Sequence, residues 1–322
     1  MINAAIVGLG RWGQGLVEST SGSERIRFTA GVTRTLSKAQ AFCASRGIAL
    51  GDDYDAVLAD DAIDAVVLAT PHTLHFGQIT AAAEAGKHVF CEKPFTLTRK
   101  SAQEAVDACL AAGVTVGLGH NRRFMANMIE AKRMIDGGEL GTLLHVETNF
   151  SANLAPMAAG AWRNSRDESP AGGMTSLGIH AVDALIHLCG PVAEADARSK
   201  RRAVDLDFDD TTCALLDFEN GMTGYLGSMA AGGRLWFVRV FGDKGWVELR
   251  GTEQLVVCDA DGNQKVLETP SGNSLGAELE AFAAAAEGGE PYPITPDQIV
   301  HGVAVLEAII ASAESGERVK IV

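Results

Sequence analysis

Three short segments combine residue types and spacings that could do chemistry. Near the start, "AAIVGLGRWGQG" sets Gly8, Gly10 and Gly13 in a GxGxxG spacing, with Arg11 and Trp12 inside the loop. After a strand and before a helix, the first glycine makes the tight turn and the second admits backbone to a pyrophosphate. The third packs helix on sheet and leaves helix N–H groups aimed at phosphates. At the expected end of the second strand, "GVTRTLSK" has Thr33 and Arg34 where this fingerprint usually carries a carboxylate for the adenosine ribose. Arg34, with Ser37 and Lys38 following, suits a 2′-phosphate by charge and bidentate geometry, so NADP is expected over NAD. The alternative is a solvated Arg34, or one stacked on adenine. In "KHVFCEKP", Glu92, Lys93 and Pro94 stand at the C-terminal end of an expected strand. Ligands of open α/β sheets bind at that edge. A lysine there can act as acid or base if burial and positive neighbours lower its pKa, although a lone lysine is ordinarily a surface charge.

Elements able to position these residues follow from the apolar pattern. "INAAIVG", "IRFTAGV", "AIDAVVLAT", "KHVFCEKP" and "VTVGLGH" read as strands. Helical spacing separates them at Leu36 to Ser45, His75 to Ala85 and Lys100 to Ala112. Strands apolar on both faces and separated by helices predict a doubly wound parallel sheet, the dinucleotide-binding domain, over residues 1–120. Residues 121–322 are expected to form an α+β domain. A helix from about Ala126 and another from about Met174 to Cys189 accompany strand pairs joined by "ENG", "GDKG" and "DGN" turns, the mark of a mostly antiparallel open sheet. Apolar residues on both faces of its strands (Leu235, Trp236, Phe237, Val238) fit either a second helix layer or a subunit interface. The expected fold class is α/β, with substrate binding and homo-oligomer formation assigned to the second domain.

Composition narrows the function classes. The 322 residues are 47% hydrophobic and 21% charged, enough for sizeable cores in about two domains. A formal net charge of -14 argues against a nucleic-acid partner, which needs a clustered basic surface. The six cysteines are scattered without CxxC spacing, as in a reduced cytoplasm, and no His, Cys, Asp and Glu set has a metal-ligand pattern. The longest uncharged stretch, Ala65 to Ala83, contains Pro71, His72, His75 and Gln78, which argues against a membrane partner.

Taken in order, "GLGRWG", "ATPHTLHFGQITAAAEAGKHVFCEKPFTLT", "GHNRRF", "GAWRN" and "GGMTSLGIHAVDALIHLCG" resemble the glucose-fructose oxidoreductase, inositol dehydrogenase and rhizopine catabolism protein family, Gfo/Idh/MocA. The resemblance covers nearly the whole chain. It implies an NAD(P)-dependent oxidoreductase of a sugar, polyol or related cyclic alcohol. By the same resemblance Lys93 reaches both the nicotinamide ribose and the reacting oxygen, and His180 serves as acid or base. Thr70, Pro71, His72 and His75, with Glu92, belong to cofactor-contacting segments, although asparagine is usual where His72 stands. Asn121, Arg122, Trp162 and Arg163 are expected near nicotinamide or substrate. Many members carry Asp-x-x-x-His, and here Ser176 occupies the aspartate position. Serine can hydrogen-bond an imidazole but supplies no charge, which leaves the acid/base pairing open. Asp183, three residues after His180, is an alternative partner on the helix face, or an ordinary helix polar residue.

Two rival readings keep the fold and change the outcome. A cofactor-binding regulator or scaffold without catalysis is supported by Ser176 alone. A redox-neutral, NAD(P)-assisted elimination or hydrolysis of glycosides through a transient keto sugar is the other.

Overall fold

A computed structural model describes residues 1–154, 156, 162, 164–205 and 207–321. Main-chain contacts divide the chain into two units. The first is Met1–Asn121 with Asn273–Val300, and the second is Arg122–Gly272 with His301–Val322. The sequence places all of 121–322 in one domain, whereas residues 273–300 return to the first unit. Phe282 there is fully buried and meets Phe90 edge-on at 5.6 Å, and the Tyr292 hydroxyl donates to the Leu118 carbonyl at 2.9 Å.

In the first unit six strands pair in the order β3 (Ala49–Gly51), β2 (Ile26–Val32), β1 (Ile2–Val7), β4 (Ala65–Leu68), β5 (His88–Glu92), β6 (Val116–Gly119). All pairs are parallel. Ile6, Val66, Val67, Val89 and Phe90 are fully buried, as a sheet covered on both faces requires. Helices α1 (Arg11–Ser19), α2 (Leu36–Ala44), α3 (Tyr54–Leu58), α4 (His72–Glu84) and α5 (Arg99–Ala111) connect the strands. The strand order reverses direction between β1 and β4, so their C-terminal ends flank the crevice where such sheets bind ligands.

In the second unit nine strands form one sheet: β14 (Gln264–Glu268), β13 (Gln254–Asp259), β12 (Gly245–Arg250), β11 (Leu235–Gly242), β7 (Leu143–Ser151), β10 (Thr223–Met229), β9 (Thr211–Phe218), β8 (Val192–Lys200), β15 (Val319–Lys320). It is antiparallel except for the β10–β7 pair. Alternate residues of each strand, such as Val238 and Val240, pack with Met128 of α6 (Ala126–Asp136), Leu185 of α7 (Ile179–Cys189) and Leu306 of α9 (Pro296–Ser315). Helix α8 (Ser274–Ala286) belongs to the first unit. Other strand positions leave apolar side chains exposed: Leu215, Tyr225, Met229 and Leu235. The helix expected from Met174 begins instead as a π-helical turn, Met174–Gly178, and becomes regular only at Ile179.

Candidate active site

The glycine loop of the first unit takes the form that the spacing predicts. Gly8 has φ +98°, and a Cβ there would lie 2.5 Å from the Ala69 carbonyl oxygen across the β1–β4 crevice, so only glycine fits. A Cβ on Gly13 would be driven into the Gly8 carbonyl, which is how closely α1 packs on the turn. Gly10 differs: a Cβ there meets nothing within 4 Å. Gly10 caps α1 without any side-chain hydrogen bond, and α1 has no acidic residue in its first turn. The first-turn N–H groups of a helix have no partner within the helix, and here they lie beside an open glycine, a fit for a pyrophosphate. Arg11 and Trp12 are both exposed next to it.

The tips of the neighbouring strands carry the other first-unit residues. Beyond β2, the Thr33 N–H donates to the Gly51 carbonyl at 3.0 Å, while Arg34, Ser37 and Lys38 are exposed. Beyond β4, Thr70 and Pro71 are half-buried, and the Thr70 hydroxyl donates to Gln78 Oε1 at 2.6 Å. Helix α4 starts at His72, three residues earlier than the apolar pattern suggests, because Pro71 with ψ 145° serves as the entry. His72 is buried, and His75 is wholly so. His75 Nδ1 lies 2.9 Å from the Pro94 carbonyl oxygen and Nε2 lies 3.1 Å from that of Thr70. Its ring thus ties the Thr70 loop to the Glu-Lys-Pro segment, which makes His75 a positioning residue for both. Glu92 is buried against the backbone of Gly119, where any Cβ would lie 2.8 Å from Glu92 Oε1. Lys93, next in the chain, is half-buried at the tip of β5. Asn121 Nδ2 donates to Ser274 Oγ at 2.9 Å, a bond the sequence does not disclose.

In the second unit His180 is 6% exposed on α7, with its ring 5.7 Å from that of Phe150. Ser176 is half-buried within the π-helical turn. Wider turns of this type change the angular offset of residues four apart, so the Ser176–His180 spacing is not that of a regular helix. Arg123 holds the Asp183 carboxylate by Nε–H to both oxygens at 3.0 Å and by Nη2–H to Oδ1 at 2.7 Å. Both partners are buried, and breaking such a pair costs about 3–5 kcal/mol. A geometry-matched guanidinium thus balances the charge of Asp183, the alternative partner that the sequence offers for His180. His187, near Arg123 Nη1 at 3.4 Å, has its pKa pushed down to about 4 by burial and then by that guanidinium, and is a neutral imidazole at pH 7.

The setting of Arg122 is not visible in the sequence. Its guanidinium carbon sits 4.1 Å from the ring centre of Phe150 and 4.2 Å from that of Trp236, and the two rings meet edge-on at 5.2 Å. Phe150 and Trp236 carry no sequence signal beyond apolar strand positions; only the pairing of β7 with β11, which sets Trp236 opposite Phe150, brings them together. Trp162 is half-buried. Arg163 lies outside the described residues. Among the described residues no group of three or more His, Cys, Asp and Glu could hold a metal, and no helix is long and apolar enough to cross a membrane.

Comparison with known proteins agrees with this construction. Residues 2–120 match the model described as an oxidoreductase family with an NAD-binding Rossmann fold, and residues 128–248 match the GFO/IDH/MocA C-terminal domain. The chain is 31% identical over 276 residues to D-xylose 1-dehydrogenase (NADP(+)) 2 of Haloferax volcanii, covering 83% of each protein. It is 29% identical over 310 residues to the rhizopine catabolism protein MocA of Rhizobium meliloti, covering 94% of this chain and 92% of that protein. Among solved structures, an aldose-aldose oxidoreductase from Caulobacter crescentus complexed with glycerol superposes with a TM-score of 0.90 at 27% identity over 99% of each chain.

Proposed function

The chain belongs to the Gfo/Idh/MocA oxidoreductase family, and from that premise we propose that it transfers a hydride between NADP and a hydroxyl- or keto-bearing carbon of a sugar or polyol. The supporting observation is the glycine cradle: Gly8 and Gly13 admit no side chain, Gly10 is open, and Lys93 stands at a strand tip on the same sheet edge. Gly8, Gly10 and the first turn of α1 would hold the pyrophosphate, with the Thr70 loop and Glu92 bordering the nicotinamide half. Arg34, exposed and with Ser37 and Lys38 following, favours the 2′-phosphate of NADP over the bare ribose of NAD. When bound, the nicotinamide accepts or supplies the hydride.

The chain's own groups handle the proton. Lys93 donates a hydrogen bond to the reacting oxygen and stabilises its developing negative charge during oxidation. His180 takes or returns the hydroxyl proton. Because Ser176 brings no charge and Asp183 is held by Arg123, Lys93 carries more of this work than in relatives with an aspartate at position 176. The sugar relatives support the substrate class. The exposed Leu215, Tyr225, Met229 and Leu235 support a homo-oligomer formed through the second sheet, which light scattering of the purified protein tests.

The direct test is NADPH formation at 340 nm from NADP with a panel of sugars and polyols, beside NADPH oxidation with ketones and inososes. Turnover with at least one pair is expected. Tight cofactor binding with no turnover anywhere would favour a regulator, and product formation without net NADPH change a redox-neutral reaction.

A further inference from the structure

Arg122 is a buried cation with no ion-pair partner among the described residues. It is 7% exposed, and its Nη1 is inaccessible and makes no hydrogen bond among the described residues. Trp236, whose ring it stacks on, is 5% exposed, and its Nε1–H has no acceptor among the described residues. The charged side chain that acts on Arg122 is another cation, Arg234. Burial, with that repulsion second, pulls the guanidinium pKa down to about 9. Stacking on Phe150 and Trp236 compensates part of the desolvation, but the attraction of aromatic faces is weaker than the penalty for burying a full charge. Two donors and no acceptor is the complement of an acceptor-only group. A neutral hydroxyl would bring a proton of its own that needs an acceptor. The seat is also next to the candidate chemistry: the Phe150 ring on which Arg122 stacks has its centre 5.7 Å from that of the His180 ring.

We propose that Arg122, with Trp236 Nε1–H, binds an oxyanion carried by the substrate, so that the preferred substrate is an anionic sugar derivative, a sugar acid or sugar phosphate, rather than a neutral sugar. This rests on the reading of the chain as a sugar dehydrogenase. The formal charge of -14 provides no general attraction for anions, so a preference for the acid has to come from a local seat.

The test compares kcat/KM for galactose with galacturonate, and for glucose with glucuronate and glucose 6-phosphate, using the native protein and Arg122→Met with saturating NADP. Thermal shifts by the same compounds in the presence of NADPH report binding without turnover. The native protein should favour an anionic partner at least ~10-fold, and Arg122→Met should lower the ratio of anionic to neutral kcat/KM by at least ~30-fold. Preference for a uronate identifies the carboxylate as the oxyanion, and preference for glucose 6-phosphate the phosphoryl group. Equal or better turnover of the neutral sugars would overturn the proposal and leave the dehydrogenase reading intact. So would an unchanged ratio in Arg122→Met. If no compound is turned over, an Arg122-dependent thermal shift confined to the anions keeps the oxyanion seat and removes the dehydrogenase. The absence of such a shift overturns the seat as well. Should Arg122→Met not fold, Trp236→Phe, which removes one donor and keeps the ring, should still lower the ratio by ~3-fold or more.

Discussion

The glycines of the first loop give a prediction in which stability and cofactor binding part company. In Gly13→Ala the new methyl group would be forced into the carbonyl oxygen of Gly8, with the carbonyl carbon at 3.1 Å, and the obstacle is backbone that no rotamer can move aside. Alanine gains about 1 kcal/mol of helix propensity over glycine, but overpacking costs about 1–3 kcal/mol or more. The strained contact wins, and net destabilisation of about 2 kcal/mol should lower Tm by roughly 4–8 °C. Gly10→Ala is the opposite case. With φ -71° and ψ -175° the backbone suits any residue, and the methyl meets nothing within 4 Å. Replacing a glycine cap by alanine costs less than about 1 kcal/mol, so Tm should move by no more than ~3 °C. The methyl would, however, occupy the space through which the main chain approaches the pyrophosphate, and NADPH binding should weaken at least ~10-fold. Calorimetry and NADPH fluorescence titration on the two variants measure both quantities. Native affinity in a fully folded Gly10→Ala protein would refute the assignment of this loop to the phosphates.

Two other perturbations are equally definite. Arg34→Ala should reduce the NADP-to-NAD ratio of kcat/KM by ~10-fold or more through loss of a charge-assisted contact, and an unchanged ratio would make Arg34 a bystander. His187 is held neutral with a pKa of about 4, against about 6.5 in an unfolded chain, so the unfolded state takes up a proton that the fold refuses. Its contribution is fully present above about pH 6.5 and lost as pH falls toward 4, by up to ~3 kcal/mol. Urea titrations across that window should show the slope in the native protein and a flatter one in His187→Gln.

Much of the first unit is legible in the sequence because its signals are local. A strand ending in GxGxxG at an open crevice depends on residues 2–13 alone, and the same is true of Glu92-Lys93-Pro94 at the tip of β5. Other features lack such a signal. Strand β3 is three residues long, too short for any periodicity to register. Strand β8, "VAEADARSK", is rich in charge and is paired on both sides by β9 and β15, so tertiary pairing decides it. The return of Asn273–Val300 to the first unit rests on contacts of Phe282 and Tyr292 with residues far earlier in the chain. In the candidate site, His180 and Ser176 are readable by motif. The capture of Asp183 by Arg123 pairs residues sixty positions apart, and the stacking of Arg122 on Phe150 and Trp236 joins three separate segments of the sequence without local pattern.

The claim on which the account turns is that the first unit binds a pyridine nucleotide and that Lys93 works on the substrate oxygen. Lys93→Ala tests it most directly, with NADPH affinity and kcat measured on the same preparation against the best substrate found for the native protein. Cofactor affinity should stay within a few-fold of native while kcat falls by at least ~10²-fold. Near-native turnover in that variant would contradict it.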